Sequence, residues 1–199
     1  MTTGSVKIIK ESAGISPLEI IEKFYSPGSL AFEVLVGHGR AVARKSLEVA
    51  RAVLHLKPDL DFINEAAMLH DIGIIKVHAP DIGCTGDAPY LLHGILGREM
   101  LEAEGLERHA LVCERHVGTG ITAHEIRENR LPLPERDMVP LSIEEKIVAY
   151  ADKFFSKNPR FLDREKTVSD VVNNLKKHGQ RQVDTFLSWV ELFEPGRAG

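Results

Sequence analysis

A histidine and an aspartate stand side by side in the stretch AAMLHDIGIIK, residues 66–76, which is otherwise almost entirely apolar. An apolar run of this kind is expected to be buried. Burying two polar side chains without partners costs on the order of several kcal/mol. Any fold of this chain must therefore bring partners to His70 and Asp71, and the rest of the sequence has to supply them.

The remainder of the chain has the pattern of amphipathic helices separated by polar turns that contain Gly and Pro. Ser16 with Glu19, and Ser142 with Glu145, have the S-x-x-E spacing of a capping box at a helix start. Asp61 is the expected cap of the helix that carries the His-Asp pair. The predicted helices cover residues 16–25, 39–56, 62–71, 91–105, 107–116, 142–155, 167–179 and 180–193. No stretch alternates apolar and polar residues as a half-buried strand does, so the sequence predicts an all-α fold.

Length and composition are those of an ordinary globular protein and exclude several function classes. The 199 residues suffice for one domain with a sizeable core, and 43% of them are hydrophobic. A net charge of −4 gives no electrostatic reason to expect a nucleic-acid polymer as partner. The two cysteines, Cys84 and Cys113, lack a framework spacing, which indicates a reduced, cytoplasmic protein. We expect no signal peptide, because the N-terminal stretch MTTGSVKIIKESAG has no long apolar core. We expect no membrane partner, because no apolar run of about 18 residues occurs.

Helical spacing directs further polar residues toward the interior. Asp152 follows Val148 by four residues, and His116 follows Val112 by four. The six polar residues that the pattern turns inward are His38, His70, Asp71, His93, His116 and Asp152. A lone histidine on an apolar face is more often a core residue than a ligand, but six such groups on five elements need shared partners. One metal ion can partner several of them, and His and Asp suit Fe, Mn, Zn and similar ions.

In type and order, these residues resemble the H…HD…D signature of the HD-domain metal-dependent phosphohydrolases, and LHDIG resembles the subgroup often called HDIG. His93 in LLHG and His116 in ERHVGTGI resemble the two additional histidines of the two-metal members. The stretch RLPLPERDMVPLSIEEKIVAYADK is similar to small prokaryotic HD proteins of unassigned substrate and to di-iron dinucleoside tetraphosphate hydrolases. The resemblance covers about residues 30–156. It implies a helical bundle, a single HD domain over 1–199, with a helix at about 16–25 and helices at about 167–193 packed on its core.

The resemblance also implies how the six residues divide. His38, His70, Asp71 and Asp152 would hold a first metal ion, and Asp71 would bridge to a second ion held by His93 and His116. Two ions about 3.5–4 Å apart can activate a hydroxide and bind phosphoryl oxygens. His70 and Asp71 are therefore the expected catalytic residues. The expected cofactor is one or two divalent ions, Fe, Mn or similar, with Zn, Ni and Mg as alternatives.

Substrate contacts are expected from basic residues around the metals and from two long loops, residues 76–90 and 128–141. The candidates are Lys76, the first basic residue after the His-Asp pair, Arg44, Lys153 next to Asp152, and His124; the alternative for each is a solvated surface position. His55, His109 and His178 are expected at the surface. Loops of this length inside a compact domain are often functional.

The favoured function is hydrolysis of a phosphoester or phosphoanhydride bond in a small metabolite by a metal-activated hydroxide. A nucleotide is the preferred candidate for that metabolite. Two alternatives remain from the sequence: a di-iron oxygenase with the same ligands, and a non-catalytic metal-binding regulatory module. The expected partner is a small phosphorylated substrate. A homodimer is one of two alternatives for the C-terminal helix, because the apolar stripe through Trp189 and Phe193 is typical either of a core or of a dimer face.

Overall fold

A computed structural model describes residues 14–194 as an assembly of helices. Its α-helices are α1 (Pro17–Glu22), α2 (Leu30–Ala52), α3 (Leu60–Leu69), α4 (His93–Ala103), α5 (Glu107–Arg115), α6 (Ala123–Glu128), α7 (Ile143–Asp152), α8 (Val168–Leu175) and α9 (Gln180–Phe193). Within the described range, the one sheet is a hairpin of two-residue strands, β1 (His78–Ala79) and β2 (Cys84–Thr85), paired antiparallel. The all-α prediction is confirmed, and the small hairpin lies inside the first long loop.

Two helices begin earlier than the sequence predicts. Asp59, not Asp61, caps α3, and its Oδ1 accepts a hydrogen bond from the amide of Phe62 at 3.1 Å. The larger difference is α2, which begins at Leu30 behind the cap Ser29, nine residues before the predicted start. His38 is therefore a mid-helix residue and does not precede its helix. The glycines around it weaken helix propensity by about 1 kcal/mol each, and packing against the core overrides that preference.

One short helix was not predicted. In α6, the Thr122 side chain accepts from the Glu125 amide while the Glu125 side chain accepts from the Thr122 amide. This is a complete capping box, and its T-x-x-E pattern is visible in the sequence. The half-box at Ser142 differs, because the Glu145 carboxylate accepts from the Leu141 amide at 2.9 Å instead.

The core forms where α2 packs on α3 and α7, with α4 and α5 packed on one another beside them. The C-terminal helix α9 buries Phe186, Trp189 and Phe193 against this core. The Phe193 ring lies 5.2 Å from the ring of Tyr150 on α7, so the apolar stripe of α9 is a core stripe. No helix between residues 14 and 194 combines the length and the apolar character that crossing a bilayer requires.

Candidate metal centre

Five helices bring six polar side chains to one buried point. Each of the six lies in the middle or at an end of a helix, and none has a relative exposure above 7%. They are His38 on α2, His70 and Asp71 at the end of α3, His93 at the start of α4, His116 after α5 and Asp152 at the end of α7. The inward direction that helical spacing predicted is thus observed for every member of the set.

Four of these residues form a first group around one carboxylate oxygen of Asp71. Its Oδ2 lies 3.2 Å from Nε2 of His38 and 3.1 Å from Nε2 of His70. Oδ1 of Asp152 lies 3.0 Å from the His38 nitrogen and 3.4 Å from the His70 nitrogen. Two imidazole nitrogens and two carboxylates therefore converge on a volume that could hold a metal ion.

A second group surrounds the other oxygen of Asp71. Its Oδ1 lies 3.4 Å from Nε2 of His93 and 3.3 Å from Nε2 of His116. The two imidazole nitrogens are 3.2 Å apart. These three residues could also hold an ion, and Asp71 is the member that the two groups share, through a different oxygen in each.

Three of the histidines are oriented in the same way by their own helices. Nδ1 of His70 lies 2.7 Å from the carbonyl oxygen of Ala67, and Nδ1 of His93 lies 2.7 Å from that of Tyr90. Nδ1 of His116 is likewise 2.8 Å from the carbonyl three residues earlier, at Cys113. A carbonyl can only accept, so each Nδ1 carries a proton and each Nε2 points to the centre, the orientation that a metal ligand requires.

The donor set fits a transition metal on two grounds. Oδ1 of Asp71 and Nε2 of His70 are fully buried, and no well-aligned hydrogen bond satisfies them among the described residues. Such orphaned polar atoms are costly unless an ion completes them. Imidazole nitrogens mixed with carboxylate oxygens are also the ligands that Fe, Mn, Zn and Ni accept.

Two lysines set the charge of the centre. Nζ of Lys157 lies 2.7 Å from Oδ2 of Asp71, and Nζ of Lys153 lies 2.7 Å from Oδ2 of Asp152. Burial alone would raise the pKa of Asp71, but Lys157 and His70 outweigh it and hold that pKa well below its usual range. The same balance, with Lys153 as the largest opposing charge, lowers the pKa of Asp152. Both carboxylates are therefore ionised at neutral pH.

The imidazoles differ from one another in protonation. Burial lowers the pKa of His93 to about 3 and also lowers the pKa of His116, so both rings are neutral at neutral pH. For His70, burial is outweighed by the charges of Asp71 and Asp152, which raise the pKa to about 9. The second group is thus ready for an ion, while the first must release a proton from His70 to receive one.

The turn that follows the His-Asp pair is fixed by neighbours far away in sequence. The hydroxyl of Tyr25 donates to the carbonyl of Ile72 at 2.6 Å and accepts from the amide of Ile75 at 3.0 Å. A Cβ added at Gly73 would lie 2.1 Å from the carbonyl oxygen of His93. Only glycine allows the turn to approach the first residues of α4 this closely, and that approach brings the two groups together.

The predicted substrate-binding residues differ in whether they contact the buried centre. Lys153 contacts the centre through Asp152. Lys76 and Arg44 are exposed, and His124 is exposed on α6 with its Nε2 3.3 Å from Oε1 of Glu128. Within residues 14–194, no hydrogen bond or ion pair joins any of these three to the six ligand candidates, and their substrate roles stay predictions.

The surface assignment of His109 is wrong. The residue is 8% exposed, with its Nε2 3.1 Å from Oε2 of Glu65 and its ring against Phe62. The partner stands 44 residues earlier, which no local pattern reveals. Sequence reasoning also missed Lys157, because it lies beyond the end of α7, where helical periodicity no longer applies.

A basic cleft of about 250 Å³ opens beside the centre. Asp152 forms part of its wall, and Lys153, Lys157 and Lys166 supply the positive charge, with the exposed His178 at its side. We call this the lysine cleft. Lys157 both lines this cleft and contacts Asp71, so the cleft adjoins the buried groups.

Comparison with known proteins agrees with this geometry. The HD domain family matches residues 35–156. An uncharacterized protein of Methanocaldococcus jannaschii is 34% identical over 152 residues, which cover 75% of this chain and 79% of that protein. A tRNA (cytidine(56)-2'-O)-methyltransferase of Thermoplasma volcanium is 30% identical over 87% of this chain, and one of Picrophilus torridus is 34% identical over 63%. The matches cover only 44% and 33% of those two methyltransferases.

No solved structure matches the chain significantly. The family match nevertheless spans more than half of the sequence, and its limits enclose all six buried ligand candidates. Two independent observations, the match and the geometry, thus lead to the same conclusion. The chain belongs to the HD-domain family.

Proposed function

We propose that this protein is a metal-dependent phosphohydrolase that acts on a small phosphorylated metabolite, with a nucleotide as the preferred candidate. The observation that carries the proposal is the lysine cleft, which is lined by Asp152 and by Lys157, the lysine that contacts Asp71. A phosphate group is the small anion that such a cluster of ammonium groups recognises best. An arrangement for a neutral substrate would not need three lysines at the entrance to a metal centre.

Different residues of the chain would have different roles in this reaction. When bound, metal ions at His38, His70, Asp71, His93, His116 and Asp152 would supply a nucleophilic hydroxide at neutral pH and stabilise charge on the phosphoryl oxygens. Lys153 and Lys157 would bind and orient the phosphate. The apolar packing around Asp71 would exclude bulk water and strengthen each charge interaction.

A nucleotide is favoured over other phosphorylated metabolites by the relatives. Two of them are named as enzymes that modify tRNA, so domains of this kind occur beside RNA chemistry, where nucleotides are the phosphorylated small molecules at hand. Methyl transfer itself is not proposed for this chain, which spans less than half of either enzyme.

The test starts from protein purified without oxygen, with its metal content measured. Protein loaded with Fe²⁺ or Mn²⁺ is offered a panel of nucleotides and sugar phosphates, and phosphate release is followed with and without oxygen. The proposal is supported if phosphate release does not depend on oxygen and is lost in Asp71→Asn. Product formation that requires oxygen would instead identify a di-iron oxygenase, and a metal-loaded protein inert toward the whole panel would identify a regulatory module.

A further inference from the structure

A second cleft, of about 590 Å³, shares Lys157 with the lysine cleft and otherwise has different walls. Its apolar side is formed by Ala79, Ile82, Tyr90 and Pro159, and its polar side includes Asn158 and Arg160. We call it the Tyr90 cleft. Its volume is in the range of roughly 300–1,000 Å³ that is typical of pockets for small molecules.

Tyr90 lies next to the metal centre and is partly accessible. Its carbonyl accepts from Nδ1 of His93, and its ring lies 4.9 Å from the His93 imidazole. The residue is 41% exposed and lines the Tyr90 cleft, whereas Tyr25 and Tyr150 are buried. A ligand in the cleft would therefore contact an aromatic residue that packs against a metal-ligand candidate.

The segment that leads to Tyr90 is ordered. The amide of His78 donates to the carbonyl of Ala88 at 2.9 Å, and the amide of Ala88 donates back to the carbonyl of Lys76 at 3.3 Å. Gly86 permits this closure, because a Cβ there would lie 2.1 Å from the carbonyl oxygen of Lys76. The loop therefore presents Tyr90 from a fixed backbone, as a binding surface requires.

We propose that the Tyr90 cleft binds the base of a nucleotide whose phosphate lies in the lysine cleft. Lys157 lines both clefts and contacts Asp71, so the two clefts adjoin at a residue that lies against the metal centre. A phosphate suits the lysine end, and a planar base suits the tyrosine end because every base stacks on an aromatic ring. Asn158 and Arg160 can donate hydrogen bonds to the polar edge of the base. This inference rests on the proposed function for the position of the phosphate.

Two measurements test the Tyr90 cleft, and only one of them needs catalysis. In the first, saturation-transfer NMR follows the purine protons of adenosine, which has no phosphate, with the wild type and three variants. Tyr90→Phe should retain the signal and Tyr90→Leu should lose it. Phe161→Leu is the matched control, because Phe161 is 46% exposed and does not line this cleft; it should behave as the wild type.

In the second measurement, kcat/KM is compared for AMP and for ribose 5-phosphate on the metal-loaded enzyme. Tyr90→Leu should lower the value for AMP by roughly tenfold more than the value for ribose 5-phosphate, the loss expected for one stacked base. An equal loss for both substrates would overturn the base assignment while leaving the hydrolase proposal intact. Adenosine binding that depends on Tyr90 in a protein without phosphatase activity would support the base site and overturn the hydrolase proposal. If adenosine gives no signal with the wild type, the Tyr90 cleft is not a base site.

Discussion

The backbone of Gly73 meets the first turn of α4 so closely that an added Cβ would stand 2.1 Å from the carbonyl oxygen of His93 and 2.4 Å from the amide nitrogen of Gly97. Both contacts are with backbone, which cannot rotate away. This interlock holds the turn after the His-Asp pair against the helix that carries His93, and so it sets the separation of the two ligand groups.

Gly73→Ala should therefore destabilise the protein by about 1–3 kcal/mol or more, the cost of overpacking a tight core. Gly37→Ala is the matched control. Gly37 is half-buried in the middle of α2, and its Cβ would meet only the flexible end of Leu162 at 3.0 Å, while alanine favours the helix by roughly 0.5–1 kcal/mol. Urea unfolding measures both. Equal stabilities for the two variants would refute the interlock.

Asp71→Asn should abolish binding at both ion positions, because Asp71 is the one residue that belongs to both groups. Asp152→Asn, the same chemical change within the first group alone, should leave the second position able to bind. Elemental analysis of the purified variants gives the number of ions per chain. Full occupancy in Asp71→Asn would show that the carboxylate is not a bridge.

Removal of metal should lower the melting temperature. An ion present at 100 times its Kd stabilises the native state by about 2.7 kcal/mol, which corresponds to about 5–10 °C for a chain of this length. Differential scanning calorimetry before and after chelation measures the shift. Asp71→Asn, measured alongside, should show no shift; a wild-type curve unchanged after confirmed metal loss would mean that packing alone holds the helices.

His109 should make the protein less stable in acid. Burial lowers the pKa of His109 despite the opposing charge of Glu65, so the folded pKa lies below the unfolded value of about 6.5. As pH falls through the unfolded value, the unfolded chain takes up a proton at this histidine before the folded chain does. Stability then decreases by at most about 1.4 kcal/mol per pH unit.

The measurement for His109 is urea unfolding at pH 7, 6 and 5. His109→Gln should lose less stability on acidification than the wild type, while the exposed His55→Gln should follow the wild type. The six ligand candidates are the same in all three proteins, so their contribution cancels in the comparison. Parallel curves for His109→Gln and the wild type would contradict the assigned pKa shift.

Lys157→Met should lower kcat/KM on phosphorylated substrates by roughly ten- to a hundredfold, the value of one charge-assisted hydrogen bond. Lys76→Ala provides the comparison, because the sequence predicts a phosphate contact there and the structure places that side chain in solvent. A larger loss in Lys76→Ala than in Lys157→Met would assign the phosphate contact to Lys76 instead. Metal content, measured in parallel, separates a substrate effect from a lost ion.

Helix periodicity accounts for much of what could be predicted. The cap at Ser142 and the spacing from Val148 to Asp152 are local signals, and local signals suffice to place a residue on the inner face of a helix. The start of α2 was missed because Gly37 and Gly39 lower helix propensity, while the tertiary packing that compensates for them leaves no mark on the sequence nearby.

The charged contacts around the centre cannot be predicted from local sequence patterns. Lys157 reaches Asp71 from a segment after α7, and His109 finds Glu65 across two helices. Contacts between segments that are distant in sequence depend on how the elements pack. The convergence of the six buried ligand candidates was therefore predictable from the sequence, whereas the lysine cleft and the Tyr90 cleft were not.

The shared orientation of His70, His93 and His116 determines how this centre can be adjusted. Each ring is anchored to a carbonyl three residues earlier on its own stretch of backbone, so ligand and helix move as one rigid piece. A small slide of α4 or α5 would change the separation of the two ligand groups without turning any imidazole away from Asp71. The spacing of the two groups is then a property of helix packing, and substitutions remote from every ligand candidate would retune it.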